Sequence, residues 1–166
     1  MAEPPPTELD RALAHARARL ASEPENAQAL GAVGSLLVAL GRAGEAFPFL
    51  QRAVTRDPND PELLNNFGAL LRATGQAADA RSYFTRALEI APGYADAHYN
   101  LGMAQLRSGE RAEALKTLKE AEMHALGDKA RYKMVLMAES DAYRAAGAIE
   151  VAEALFKRAD AEPEIQ

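Results

Sequence analysis

The side chains able to do chemistry in this sequence are few, and their spacing limits what they can do. Glu120 and His124 stand one helical turn apart, which could offer two ligands to a metal ion, but a zinc site takes at least three protein ligands and no third accompanies them. His15, His98 and His124 are assigned to separate units of the chain, so no histidine cluster is expected. The chain has no cysteine, which removes disulfides, thiolate catalysis and cysteine-based zinc sites together. No phosphate-cradling glycine loop and no nucleophile-elbow pattern occurs. Catalysis or metal binding is therefore the remote reading, with no catalytic residue, metal or cofactor expected.

Groups suited to recognition recur instead. Asn66 and Asn100 lie 34 residues apart, and an amide offers donor and acceptor together, as an extended peptide backbone does. The alternative use of such an amide is a local bond to a neighbouring helix or to water. Arg72, Arg107 and Arg144, spaced 35 and 37 residues, could clamp the carboxylates of an acidic segment. Equally, a cation near a helix C-terminus is stabilised by the helix dipole, and this simpler account is preferred. Met103, Met134 and Met137 are either core or an adaptable apolar surface.

The elements that position these groups follow from one interval. Gly41, Gly75 and Gly109 are 34 residues apart, and Gly147 follows after 38. Five residues beyond each comes an alanine (Ala46, Ala80, Ala114, Ala152), and four further a large apolar residue (Leu50, Phe84, Leu118, Phe156) expected to fill the space between paired helices. Seven residues before each glycine sits Gly34, Gly68, Gly102 or Ser140, and Pro24, Pro58 and Pro92 close successive units. Several residue types thus report one repeating register. Glycine in mid-helix costs about 1 kcal/mol relative to alanine, so its recurrence implies close approach by a partner helix.

Within each period the apolar steps of three and four residues describe two short helices, as at Leu30, Val33, Leu37 and Leu40. Pro4, Pro5 and Pro6 place a disordered or extended tail at residues 1–6, and Thr7 with Asp10 resembles a capping box opening a helix to about Ala21. The following helices are expected from Ala27, over 45–56, 63–74, 78–90, 95–107, 112–125 and 129–146, with a last one beyond Gly147. Asp128 is a plausible cap for the eighth, whose additional turn accounts for the 38-residue step. Pro48 is placed at the start of its helix, where a missing N–H costs little. The array comprises a half-unit at 7–26, repeats at 27–60, 61–94 and 95–128, and a lengthened repeat at 129–166, forming one solenoid of about nine helices.

Bulk properties agree with such an array. Apolar residues make up 48% and charged residues 26%, with alanine dominating and no Trp, which suits close helix packing. A net charge of −5 and the lack of a Lys/Arg-rich run argue against nucleic acid. The N-terminus has no signal-peptide pattern and the longest apolar stretch, Val33 to Leu40, is too short to span a bilayer, so a soluble cytoplasmic protein without membrane insertion is expected.

These segments resemble the tetratricopeptide repeat family. The helix-turn-helix signature is matched from Leu30 to Ala46, Asn65 to Ala80 and Tyr99 to Ala114, and its later half from Asp141 to Ala154. The favoured early Trp is replaced by Leu30, Leu64, His98 and Leu136, the mid-helix Tyr survives only as Tyr143, and Glu139 stands on a normally apolar position. The resemblance implies an all-α, right-handed superhelical solenoid of antiparallel helix pairs whose first helices line a concave groove for peptides. That groove would take in Ser35, Val38, Asn65, Asn66, Ala69 and Arg72, then Tyr99, Asn100, Met103 and Arg107, and finally Met137, Asp141 and Arg144. The family's carboxylate clamp for chaperone tails is disfavoured, because Gly31 and Asp96 occupy its basic positions. Glu153 and Asp160, where internal repeats carry Phe47 or Leu115 and Val54 or Leu88, give the last helix a polar outer face expected to end the array.

The expected function is a non-catalytic protein–protein interaction module, an adaptor or assembly factor holding a partner peptide or extended segment. The alternative is a self-associating scaffold, a homo-oligomer built through an edge or through the added turn of the lengthened helix.

Overall fold

A computed structural model describes residues 6–161, so most of the expected N-terminal tail and the last five residues of the lengthened repeat lie outside the described residues. Those residues form nine α-helices and no strand: α1 Glu8–Ser22, α2 Ala27–Ala39, α3 Ala43–Arg56, α4 Pro61–Ala73, α5 Ala77–Ile90, α6 Ala95–Arg107, α7 Arg111–Ala125, α8 Lys129–Ala145 and α9 Ile149–Asp160. The fold is an all-α solenoid of helix pairs, and the chain divides into two compact units, Met1–Ile90 and Ala91–Gln166.

The helix starts are written into the sequence. Thr7 accepts the Asp10 amide at 3.1 Å while Asp10 accepts the Thr7 amide at 2.9 Å, completing the expected capping box. Asp60 receives the Glu62 and Leu63 amides at 2.8 and 2.9 Å, with Pro61 in the first turn where no N–H is required. Asp128 caps α8 through the Arg131 amide at 3.0 Å, as expected. Each pair turns through a glycine in the left-handed region, such as Gly75 at φ 86°, which other residues rarely adopt. Pro48 departs from expectation: α3 begins at Ala43, so Pro48 lies in its second turn, and the Gly44 carbonyl loses the N–H that residue 48 would otherwise donate.

In the first unit, α2 pairs with α3 and α4 with α5, while α1 packs on α2. Gly68 forms a notch on α4 that the buried Phe84 ring of α5 fills, so closely that a Cβ at Gly68 would lie 2.7 Å from Phe84 Cε1. Leu50 occupies the equivalent notch at Gly34. The recurring glycine and the large residue are therefore two halves of one contact, repeated along the chain.

The second unit keeps this device in α6 and α7, where Leu118 fills the notch at Gly102, and alters it in α8 and α9. Helix α8 has 17 residues against 13 in α2, α4 and α6, which is the additional turn inferred from spacing. Ser140 replaces the glycine; its side chain fills the notch and donates to the Ala152 carbonyl at 2.7 Å. Phe156, expected inside, is instead 46% exposed, and Leu155 at 8% takes the buried place. The cause is volume: a serine side chain and an aromatic ring cannot share a site built for a glycine and one large residue.

Candidate functional site

Helical periodicity decides which side chains of each first helix remain available. On α4, Asn65 is buried while Asn66, Ala69 and Arg72 are half-buried along the face expected to meet a partner. Ser35 and Val38 of α2 are likewise half-buried, and Gln28 of α2 reaches the Asp60 cap at 2.5 Å, tying the starts of α2 and α4 together. Asn66 is thus the amide of this unit with surface to offer.

In the second unit, α6 presents Tyr99 and Met103 half-buried and Arg107 exposed, whereas Asn100 is buried. The two asparagines that share one sequence position therefore differ in burial, a distinction the 34-residue spacing does not carry. Tyr99 and Tyr143 pack on the apolar cluster of Tyr132, Val135, Leu136 and Leu155. On α8 the residues Met134, Met137, Asp141 and Arg144 follow one another at steps of three and four, and all four are exposed, the methionines by 39% and 43%. They lie on the side of α8 opposite its buried Val135, Glu139 and Ala142.

The spacing argument misses the group that organises the base of this face. Arg131, in the first turn of α8, donates to both carboxylate oxygens of Asp96 on α6, at 2.5 and 3.1 Å, and to Asp128 at 2.9 Å. A guanidinium fork meeting a carboxylate with two parallel bonds fixes the relative position of the two first helices. The hydrogen bond it donates to Asp96 holds the Arg131 guanidinium still more firmly protonated. Asp96 is thus a carboxylate already paired within the chain.

The histidines need a correction. His98 and His124 are stacked, their ring centroids 5.7 Å apart and their planes inclined by 14°. Both belong to the α6–α7 pair, and antiparallel packing sets the start of α6 beside the end of α7. His98 Nε2 lies 2.8 Å from the Pro92 carbonyl, which can only accept, so this nitrogen carries the proton. Among the described residues no three His, Cys, Asp or Glu side chains come together in a way that could hold a metal ion.

One titratable group is buried without use in recognition. Glu139 of α8 is 0% exposed and neither carboxylate oxygen has a hydrogen-bond partner. Burial, reinforced by the neighbouring Glu122, pushes its pKa up to about 7, with Lys119 and Arg158 partly offsetting the rise. Beside it, Glu122 of α7 accepts from Arg158 of α9, which also donates to the Tyr132 hydroxyl and lies 5.6 Å from the centre of that ring.

Sequence comparisons agree with this architecture. Three models of the tetratricopeptide repeat match residues 7–61, 49–82 and 71–138, which together run without a gap from 7 to 138. No curated protein sequence matches the chain. Among solved structures, a thermophilic TPR protein of Thermus thermophilus is similar with a TM-score of 0.82 at 22% identity, covering 95% of this chain and 84% of that one. MamA gives 0.71 at 23% identity over 92% of this chain and 86% of its own. YrrB, a TPR protein with an unusual peptide-binding site, gives 0.65 at 23% identity over 95% and 80%. The chain belongs to the tetratricopeptide repeat family, and its fold is that of a protein–protein interaction module. Among the described residues no helix is long and apolar enough to cross a membrane.

Proposed function

We propose that the protein is a non-catalytic adaptor or assembly factor that holds a peptide or extended segment of a partner protein on the faces of its first helices. The contact residues of the first unit are Asn66 and Arg72 on α4; those of the second unit, taken by itself, are Tyr99, Met103 and Arg107 on α6 and Met137, Asp141 and Arg144 on α8. The observation that carries this reading is the exposed stripe of α8, in which Met134 and Met137 remain accessible beside Asp141 and Arg144. Two unbranched, polarizable side chains flanked by one carboxylate and one guanidinium suit a partner segment that is apolar with polar flanks. An acidic chaperone tail is disfavoured, since Asp96 stands in a clamp position and is bound by Arg131.

The test begins with identification of the partner by affinity capture and mass spectrometry. Titration of the identified segment then compares wild type with Met137→Glu and with Asn66→Ala. Met137→Glu is expected to weaken binding at least about tenfold, as for other buried interface anchors. Unchanged affinity in both variants would remove the first-helix faces from the account.

A second reading, self-association, is favoured by the exposed Ile149 and Phe156 of α9. Light scattering across a concentration series separates the two, because a monomer at every concentration leaves only the partner-binding role.

A further inference from the structure

The second helices of the first unit enclose a site that the first-helix reading does not use. Between α3 and α5, above α4, lies a cleft of about 380 Å³. Three aromatic side chains from three helices form its interior: Phe47 of α3, Phe67 of α4 and Tyr83 of α5. Phe67 is central, 5.6 Å from the Phe47 ring in a tilted contact and 4.9 Å from the Tyr83 ring edge to face. Gln51 and Thr55 on one wall and Ser82 on the other supply amide and hydroxyl groups at the rim.

The charge of this cleft is one-sided. Asp79 is its single charged lining residue, and among the described residues no ion pair holds that carboxylate. The basic residues on the same helices are engaged: Arg52 and Arg56 pair with Glu25, Arg86 pairs with Glu89 and Asn59, and Arg81 also has a partner, whereas Asp79 has none among the described residues. A cation entering the cleft therefore meets a carboxylate without a competing internal partner, and aromatic rings whose quadrupoles attract positive charge. The volume exceeds that of one ammonium group, leaving space for the aliphatic stem of the side chain and adjoining backbone, which the rim amide and hydroxyls can hold.

We propose that this cleft is a second docking site, which receives a lysine or arginine side chain carried on an extended segment of a partner protein. Asp79 supplies the counter-charge, Phe47, Phe67 and Tyr83 supply the aromatic walls, and Gln51, Thr55 and Ser82 receive the flanking backbone. The site is independent of Asn66, Met103 and Met137, so it stands or falls separately from the first-helix reading.

The experiment is an NMR titration of the full-length, isotope-labelled chain with an acetylated, amidated pentapeptide bearing lysine between glycine pairs. The same peptide with arginine, and with the uncharged isostere norleucine, serve as the comparison arms. Saturable shifts are expected at backbone amides of residues 47–55 and 76–83 with the lysine or arginine peptide. Asp79→Asn, which keeps the size of the side chain, is expected to weaken that binding about fivefold, the order of one partly exposed charge pair. Tyr83→Leu should weaken it while leaving the spectrum dispersed. Equal binding of the norleucine peptide would overturn the proposal by showing an apolar cleft indifferent to charge. Affinity unchanged by Asp79→Asn, shifts confined to first-helix residues, or no saturable shift with either basic peptide would each overturn it as well.

Discussion

Ser140 donates its hydroxyl to the Ala152 carbonyl at 2.7 Å inside the α8–α9 pair, and this bond takes the space that Leu50, Phe84 and Leu118 occupy in their own pairs. One consequence concerns two phenylalanines that share a repeat position. Phe84 is fully buried in the Gly68 notch, and Phe156 is excluded from its own. Phe84→Ala is therefore expected to cost about 3–5 kcal/mol in urea denaturation. Phe156→Ala should cost well under about 1 kcal/mol, as for surface substitutions. Similar losses for both would contradict the serine-filled notch.

The Gly68 notch makes a sharper prediction. Alanine in mid-helix is intrinsically favoured over glycine by about 1 kcal/mol, yet a Cβ here would lie 2.7 Å from a ring that is enclosed on every side. Overpacking of this kind costs about 1–3 kcal/mol, so Gly68→Ala should be neutral to destabilising and Gly68→Leu severe. Gly68→Ala combined with Phe84→Leu should recover part of the loss. A double-mutant cycle with no coupling between the two positions would sink the contact.

How far the sequence reveals this molecule depends on whether a residue acts through its own helix or through another. Thr7, Asp128 and the turn glycines act locally, so the capping box, the start of α8 and the pairing of helices are legible from spacing. Phe156 is not, because Ser140 reads as one more small residue in the series until the volume of its side chain and its bond to Ala152 are seen. Spacing misplaces Pro48 because α3 starts two residues earlier than the periodicity implies, and periodicity does not fix a helix end. The His98–His124 stack, the Asp96–Arg131 pair and the Phe47–Phe67–Tyr83 cleft all join residues on different helices at no recurring interval. Asn66 and Asn100 show the converse: identical spacing conceals different burial.

Asp96 links the candidate face to stability. Both it and Arg131 are partly exposed, so Asp96→Ala should cost no more than about 1 kcal/mol and less in high salt. Asp96→Lys sets a second cation against Arg131 and should lower thermal stability further than alanine does. An Asp96→Lys variant as stable as wild type would show that Arg131 does not depend on Asp96.

Glu139 gives the second unit a pH dependence opposite in sense to ordinary acid denaturation. Its carboxyl is raised from an ordinary value of 4.5 to about 7 by burial and by Glu122. The folded chain therefore keeps a proton that the unfolded chain releases. Where the folded state binds more protons, stability falls as pH rises, so this contribution is fully present below pH 4.5, declines through the interval to about 7 and is lost above it. At about 1.4 kcal/mol per pH unit the whole decline is roughly 3 kcal/mol. Glu139→Gln removes the titration, so its urea midpoint should be nearly flat over that interval while the wild-type midpoint falls. Glu139→Leu should exceed wild type above neutral pH, because an apolar side chain needs no partner in a site that offers none. A wild-type midpoint that rises between weakly acidic and neutral pH, with the glutamine variant following the same course, would assign the carboxylate an internal partner instead.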